Sequence, residues 1–316
     1  MKAANTPSSS ILLSIDPYQK GRKLMNRSIG IIKTLGKGLS TNVQPVYVAE
    51  KSRLSRLKRA LSRDSDNFEE RTKEKINKML KASKKSGIEK AEILFDDERN
   101  RQKDARIVAT FGKNHGDMMI VAATGAQPGI RSIFDESFTE NLVSQANIPV
   151  VTVNPLTKIP PKIKKIVFTS DFSAESSRAF AKICELAKKL NAEVILYSVL
   201  KQYLYLDDIS SFNVSTTVEG YNWIDFERKR IHSLAGVYLN RARRMGVKAK
   251  FYCEEDNISV PRAVMHYAHK VNADMIALAA KSNSRMAHTF GTVTQRLIRR
   301  ADLPVWVYNR SKQRIR

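Results

Sequence analysis

The chain of 316 residues holds only two cysteines, Cys184 and Cys253, with no CxxC pair and no framework of spaced thiols. That excludes a disulfide scaffold and a cysteine-rich zinc module, and it suits a reducing, cytoplasmic setting. Histidine is sparse too, at five residues. His266 and His269 stand three apart on an expected helix, but no further Cys, His or carboxylate pattern completes a four-ligand zinc set, so no metal is expected. Neither HExxH nor GxSxG occurs, which removes two common hydrolase signatures. No apolar run is long enough to span a bilayer, and "MKAANTPSSSILLSID" lacks the sustained apolar stretch of a secretory signal. Glycine numbers only 13. The shortage bears on any phosphate loop, because glycines let backbone N–H groups approach phosphate oxygens. "GKGLST" at Gly36 lacks the GxxxxGK[ST] spacing and follows a helix-like stretch instead of a strand, so Gly36 and Gly38 read as helix-ending residues.

Acidic residues are outnumbered, 31 against 55 basic, for a net charge of +24. The excess is shared, +10 up to Pro155 and +14 beyond it. Such a balance favours anionic partners (nucleic acid, acidic membrane surfaces or nucleotides), or serves solubility alone. In "EKSRLSRLKRALSR" (Glu50 to Arg63), Leu54, Leu57 and Leu61 fall at helical spacing with cations on the other face. That pattern fits a helix packed by its leucines with a solvated basic face, or one laid on acidic lipid or a phosphate backbone. The arginines of "NRARRMG", "QRLIRRA" and "NRSKQRIR" invite the same two readings, and none is interleaved with aromatics as an RNA platform requires.

Against these shortages stands a repeat. Asp16 and Asp171 lie 155 residues apart, as do Ala146 and Ala301 in "ANIPVV" and "ADLPVW", and Thr139 and Thr294. Three landmarks in one register argue for duplication. "NPLTKIPPKIKK" then reads as a linker, since its prolines continue neither sheet nor helix. Each half alternates short apolar strands with helices. In the second, the strands are "KIVFTS", "AEVILYSVL", "VKAKFYC", "ADMIALAA" and "LPVWVY", with a helix capped by Ser173 after the first and a helix ended by Gly246 before the third. The first half follows the same order with "ILLSID", "VQPVYVAE", "KAEILFD", "DMMIVAAT" and "IPVVTV". The pattern predicts an α/β chain of two tandem, doubly wound, five-stranded parallel-sheet domains, residues 1–155 and 156–316. Ligands of open α/β sheets settle beyond the C-terminal strand ends where the strand order reverses. Asp16 and Asp171, after first strands, and the loops "AATGAQPG" and "AAKSNSRM", after fourth strands, are the candidates.

These features together resemble the universal stress protein family in its tandem form: the Asp after strand one, the fourth strand opened by Asp117 or Asp274, and the Pro-Val endings at Pro149 and Pro304. The resemblance covers nearly all of both halves. It implies a Rossmann-like, adenine nucleotide alpha hydrolase-like fold and pairing of the two fifth strands as a pseudo-dimer within one chain, with room for further homo-oligomers. ATP-binding members carry Gly, two residues, Gly, nine residues, then Gly-Ser or Gly-Thr. Here Ala279 and Ser282 take the first two glycine positions, and Gly291-Thr292 closes the motif after eight residues. Lys281, Arg285 and His288 add cations nearby. The first half offers Ala122, Gly125 and then Glu136-Ser137 after ten residues, and a carboxylate there repels a triphosphate. By the same resemblance Asp171, and less so Asp16, orients the base or ribose, and the Val199 backbone lies near adenine. Each of these residues has a purely structural reading beside the functional one.

The expectation is a cytoplasmic stress-response binding module, with ATP or another adenine nucleotide at Asp171, Val199, Ala279, Ser282, Gly291 and Thr292. No catalytic residue is assigned. A scaffold binding nucleic acid or acidic partners through basic surfaces is the alternative, and slow ATP hydrolysis a third reading.

Overall fold

A computed structural model describes residues 10–17, 22–50, 65–81, 88–96, 101–115, 119–123, 138–200, 216–255, 259–280 and 291–309. Strands and helices alternate as the apolar pattern requires. The first half runs β1 (Ile11–Ser14), α1 (Arg22–Leu39), β2 (Val43–Glu50), α2 (Ser65–Lys81), β3 (Glu92–Asp96), α3 (Arg101–His115), β4 (Met119–Ala123), α4 (Phe138–Gln145) and β5 (Val150–Val153). The second runs β6 (Lys165–Thr169), α5 (Ala174–Leu190), β7 (Glu193–Val199), α6 (Thr216–Arg244), β8 (Ala249–Glu254), α7 (Val260–Lys270), β9 (Met275–Ala279), α8 (Thr292–Arg300) and β10 (Val305–Tyr308).

All ten strands form one sheet in the order β3-β2-β1-β4-β5-β10-β9-β6-β7-β8. Every neighbouring pair is parallel except β5 and β10, which run antiparallel at the centre, Val151 facing Trp306. Because successive side chains point to opposite faces, each strand feeds two cores. Ile166 and Phe168 enter one with residues of α1, α2, α5 and α6, while Val167 enters the other with residues of α3, α4, α7 and α8. Strands buried on both faces explain why the apolar runs are continuous instead of alternating.

The helix ends follow local chemistry. The Ser173 side chain accepts from the Ser176 N–H to open α5, and Asn191 closes it at φ 52°. Gly246 adopts φ 73° just past α6, as its place in the sequence predicts. Gly36 and Gly38 do not end α1: both lie inside it, and the left-handed residue after it is Ser40, at φ 49°. Gly38 has another use, since a Cβ there would meet Leu190 Cδ2 of α5 at 2.7 Å, so its bareness lets α1 approach the second half. The connection from β5 to β6 is ordered by its own polar groups. The Asn154 side chain accepts from the Leu156 N–H (2.8 Å), the Thr157 hydroxyl accepts from the Asn154 N–H (2.9 Å), and Thr34 of α1 donates to the Pro160 carbonyl (2.8 Å).

Candidate functional site

Within the second half the strand order reverses between β6 and β9, which are parallel, hydrogen-bonded neighbours. Ligands of open α/β sheets settle at such a switch point, so the crevice beyond these C-terminal strand ends is the candidate site. Three expected site residues meet there by register. Thr169 pairs with both Tyr197 and Leu278. Asp171 and Val199 each stand two residues further along their strands, and Ala279 one. The start of α8 returns to the same end, because the Thr294 hydroxyl reaches the carbonyls of Ala279 (3.4 Å) and Ala280 (3.2 Å). That tether brings Gly291 and Thr292 to the crevice.

Asp171 is exposed and held by the first turn of α5. Its Oδ1 accepts from the Ser173 N–H (3.0 Å) and from the Ser176 hydroxyl (2.5 Å). Ser176 is 3% exposed, so it fixes the carboxylate from below. Phe172 follows in the left-handed region at φ 58°, where bulky residues rarely sit. Its N–H is satisfied by Ser170 Oγ at 3.0 Å, and its ring stands edge-on to Tyr238 (5.4 Å) and Phe251 (6.2 Å). Burial pushes the Tyr238 phenol up, against the opposing effect of hydrogen bonds with Ser170 and Ser177. The aromatic packing supports the strained turn that follows Asp171.

Val199 is half-buried at the end of β7, paired with Glu254. Ala279, 9% exposed, pairs with Tyr308 of β10, which accounts for a small residue there as strand packing. Gly291 caps α8 at φ −59° with no side-chain hydrogen bond, and Thr292 is exposed in its first turn. The helix thus presents its N-terminal N–H groups, with the positive end of its dipole, beside Asp171's crevice. Ser282, Lys281, Arg285 and His288 lie outside the described residues, as do Gly125, Glu136 and Ser137 of the first half's loop and the basic stretch from Lys51 to Arg63.

The first half repeats the frame. β1 and β4 are neighbours, Asp16 stands two residues past β1, and the Thr139 hydroxyl reaches the Ala123 carbonyl at 2.8 Å. It cannot repeat the strained turn, because Pro17 occupies the place of Phe172 and its ring fixes φ near about −65°. Phe172, with its aromatic support, is the site feature that sequence reading missed. The Pro-for-Phe difference at an aligned position was its available signal.

Other expectations resolve into structure. Asp274 Oδ2 accepts from the backbone N–H groups of Lys164 (2.8 Å) and Lys165 (2.9 Å), so this landmark pins the start of β6. His269 meets Asp302 at 2.8 Å while His266 is exposed, and no group of three metal-ligating side chains occurs among the described residues. No helix among those residues is long and apolar enough to cross a membrane.

The sequence model of the Universal stress protein family matches residues 162–309. A universal stress protein from Archaeoglobus fulgidus DSM 4304 superposes with a TM-score of 0.57 at 17% identity, covering 96% of this chain and 99% of that one. A functionally unknown protein from Pseudomonas aeruginosa PAO1 gives a TM-score of 0.55 at 13% identity, covering 96% and 92%. At these identities the likeness is one of fold, and it spans both halves. No curated protein sequence matches. Residues 162–309 therefore form a universal stress protein domain, and the chain as a whole shares its fold with the solved universal stress protein.

Proposed function

We propose that the chain is a tandem stress-response binding module of two domains, 1–155 and 156–316, working as a cytoplasmic pseudo-dimer. In this reading the second domain holds an adenine nucleotide, and the first does not. The observation that carries it is the convergence of Asp171, Val199, Ala279 and the uncapped start of α8 on one strand-reversal crevice. A helix N-terminus without a side-chain cap favours phosphate, and a carboxylate held by Ser173 and Ser176 is placed to accept ribose or base donors. Thr292 and Ser282 would contact phosphate, and the Val199 backbone would lie by the base. Only the second domain joins the strained Phe172 turn to a Gly-Thr helix start. The reading is one of binding, and no catalytic residue is assigned.

The test is calorimetric titration of nucleotide-stripped protein with ATP, ADP and AMP, beside Gly291→Glu and Asp171→Ala. Micromolar binding by the wild type that Gly291→Glu removes and Asp171→Ala weakens supports the reading. Absence of heat with all three nucleotides overturns it and directs attention to the basic surfaces. Exposed Arg243, Arg244, Arg296 and Arg300, in a chain of net charge +24, favour that second reading, an acidic or nucleic-acid partner. Its mark is binding that weakens steeply as salt rises.

A further inference from the structure

The 155-residue repeat makes Val151 and Trp306 equivalent positions, and in the sheet these two face each other. An approximate twofold relation between the halves therefore centres on that pair. The asparagines on either side of the seam follow it in part. Asn154 Nδ2 donates to the carbonyls of Ile298 (3.1 Å) and Ala301 (2.8 Å), finishing α8 of the second half. Asn309, its equivalent, donates to the carbonyls of Val143 (3.2 Å) and Ser144 (2.7 Å), finishing α4 of the first. The two caps share one equivalent acceptor, Ile298 and Val143, and differ in the second, so the asparagine contact recurs in both directions with a local shift.

Several contacts break the symmetry: Thr152, whose counterpart is Val307, donates to the Val305 carbonyl (3.3 Å), Lys158 pairs with Asp302 (3.1 Å), and two further pairs bear on the choice of partner. Trp306 and Val151 are both fully buried in the same core, a large ring against a small side chain on the axis. The Trp306 indole N–H is buried without a hydrogen-bond partner, so the ring is retained for its volume and not its donor. On the other face of the sheet, between α8 and α4, Arg299 grips Glu140 with two hydrogen bonds, Nε to Oε1 at 2.5 Å and Nη2 to Oε2 at 3.0 Å, and Glu140 is 1% exposed. The equivalents of this pair are Gln295 and Ser144, so it has no mirror copy.

We infer that the β5–β10 seam selects an unlike half: Trp306 against Val151 and Arg299 against Glu140 reject pairing of either half with a second copy of itself. Two second halves would drive two indoles onto the axis and oppose Arg299 with Gln295. Two first halves would leave a void between two valines and set Glu140 against Ser144 in place of Arg299. Overpacking, voids and the loss of Arg299 from a buried carboxylate are each unfavourable. The recurring asparagine contacts supply adhesion, and the asymmetric pairs supply discrimination. The inference rests on the seam's geometry and holds whether or not a nucleotide binds.

The test uses full-length protein. Val151→Trp, Trp306→Val, Glu140→Arg and Arg299→Glu are made singly, then as the exchanged doubles Val151→Trp/Trp306→Val and Glu140→Arg/Arg299→Glu. Each single change should lower the unfolding midpoint by roughly 5 to 10 °C. Each exchanged double should recover at least half of the loss at the wild-type mass. Co-expression of the Glu140→Arg chain with the Arg299→Glu chain should give a one-to-one complex by light scattering, absent from either alone, because complementary halves then reside on different chains. Exchanged doubles no more stable than the worse single, together with no mixed complex, would overturn the inference.

Discussion

Phe172 occupies backbone space at φ 58° that proline cannot enter, and Pro17 stands at the corresponding place in the first half. Copying the first half onto the second, by Phe172→Pro, should forbid the turn and strip the ring from Tyr238 and Phe251. A loss of roughly 3 kcal/mol or more in urea unfolding is expected, and with it whatever the Asp171 crevice binds. The cysteines make a second prediction at this scale. Burial pushes the Cys184 thiol up to about 12 and the Cys253 thiol up to about 11, from an ordinary value of 9.0. A thiol raised on folding stabilises fully below its unfolded value, and that contribution drains away as pH climbs towards the folded value. Stability should therefore fall between about pH 9 and pH 12. Thiol-reagent labelling at pH 8 should stay slow until denaturant opens the fold, most markedly for Cys184, which is fully buried. Replacing Cys184 with alanine should flatten the alkaline limb of the stability curve, so an unchanged limb would count against the thiol as its source.

Helix ends and close approaches separate what sequence shows from what it conceals. Ser173 is visible as a cap because its hydroxyl must lie one residue before an apolar-periodic run, and the structure places it there. Ser173→Ala should cost about 1 kcal/mol by urea denaturation. It should also loosen Asp171, since the cap and the carboxylate share the first turn of α5. Gly38 shows the opposite case. Its sequence context resembles a helix terminus, but its purpose is set by Leu190, which is 152 residues away in the chain and beyond local patterning. Gly38→Ala gains helix propensity and pushes only the end of a flexible leucine, so the net change should lie within about 0.5 kcal/mol. The strands were legible from their short apolar runs, which are continuous where both faces are buried, as in β9, and interrupted at the edges, as in β3 and β8. The duplication was legible from a shared register of Asp, Thr and Pro. The Phe172 turn was not, because apolar patterning says nothing about the sign of φ. Nor was the Glu140–Arg299 pair, because long-range partners leave no local periodicity.

Taken whole, the sheet has one interruption of direction and no interruption of hydrogen bonding, and one core contains side chains from both halves, from Ile11 to Trp306. Calorimetry should therefore show a single transition with matching calorimetric and van't Hoff enthalpies. Asn154→Ala and Asn309→Ala should each lower its midpoint, because each leaves buried helix-end carbonyls of the other half unsatisfied. Two separated transitions would mean the halves unfold independently. The central seam also has a consequence in time. β5 reads "VVTV", uncharged and buried on both faces in the finished sheet. During synthesis its open side has no partner until β10 leaves the ribosome, about 150 residues later, a wait of roughly 8 to 30 s at ordinary elongation rates. Throughout that wait the nascent chain displays a bare, sticky strand edge to its neighbours on the same messenger. Halves that reject their own kind at the β5 seam would keep crowded nascent chains from zipping together before each has made its own partner.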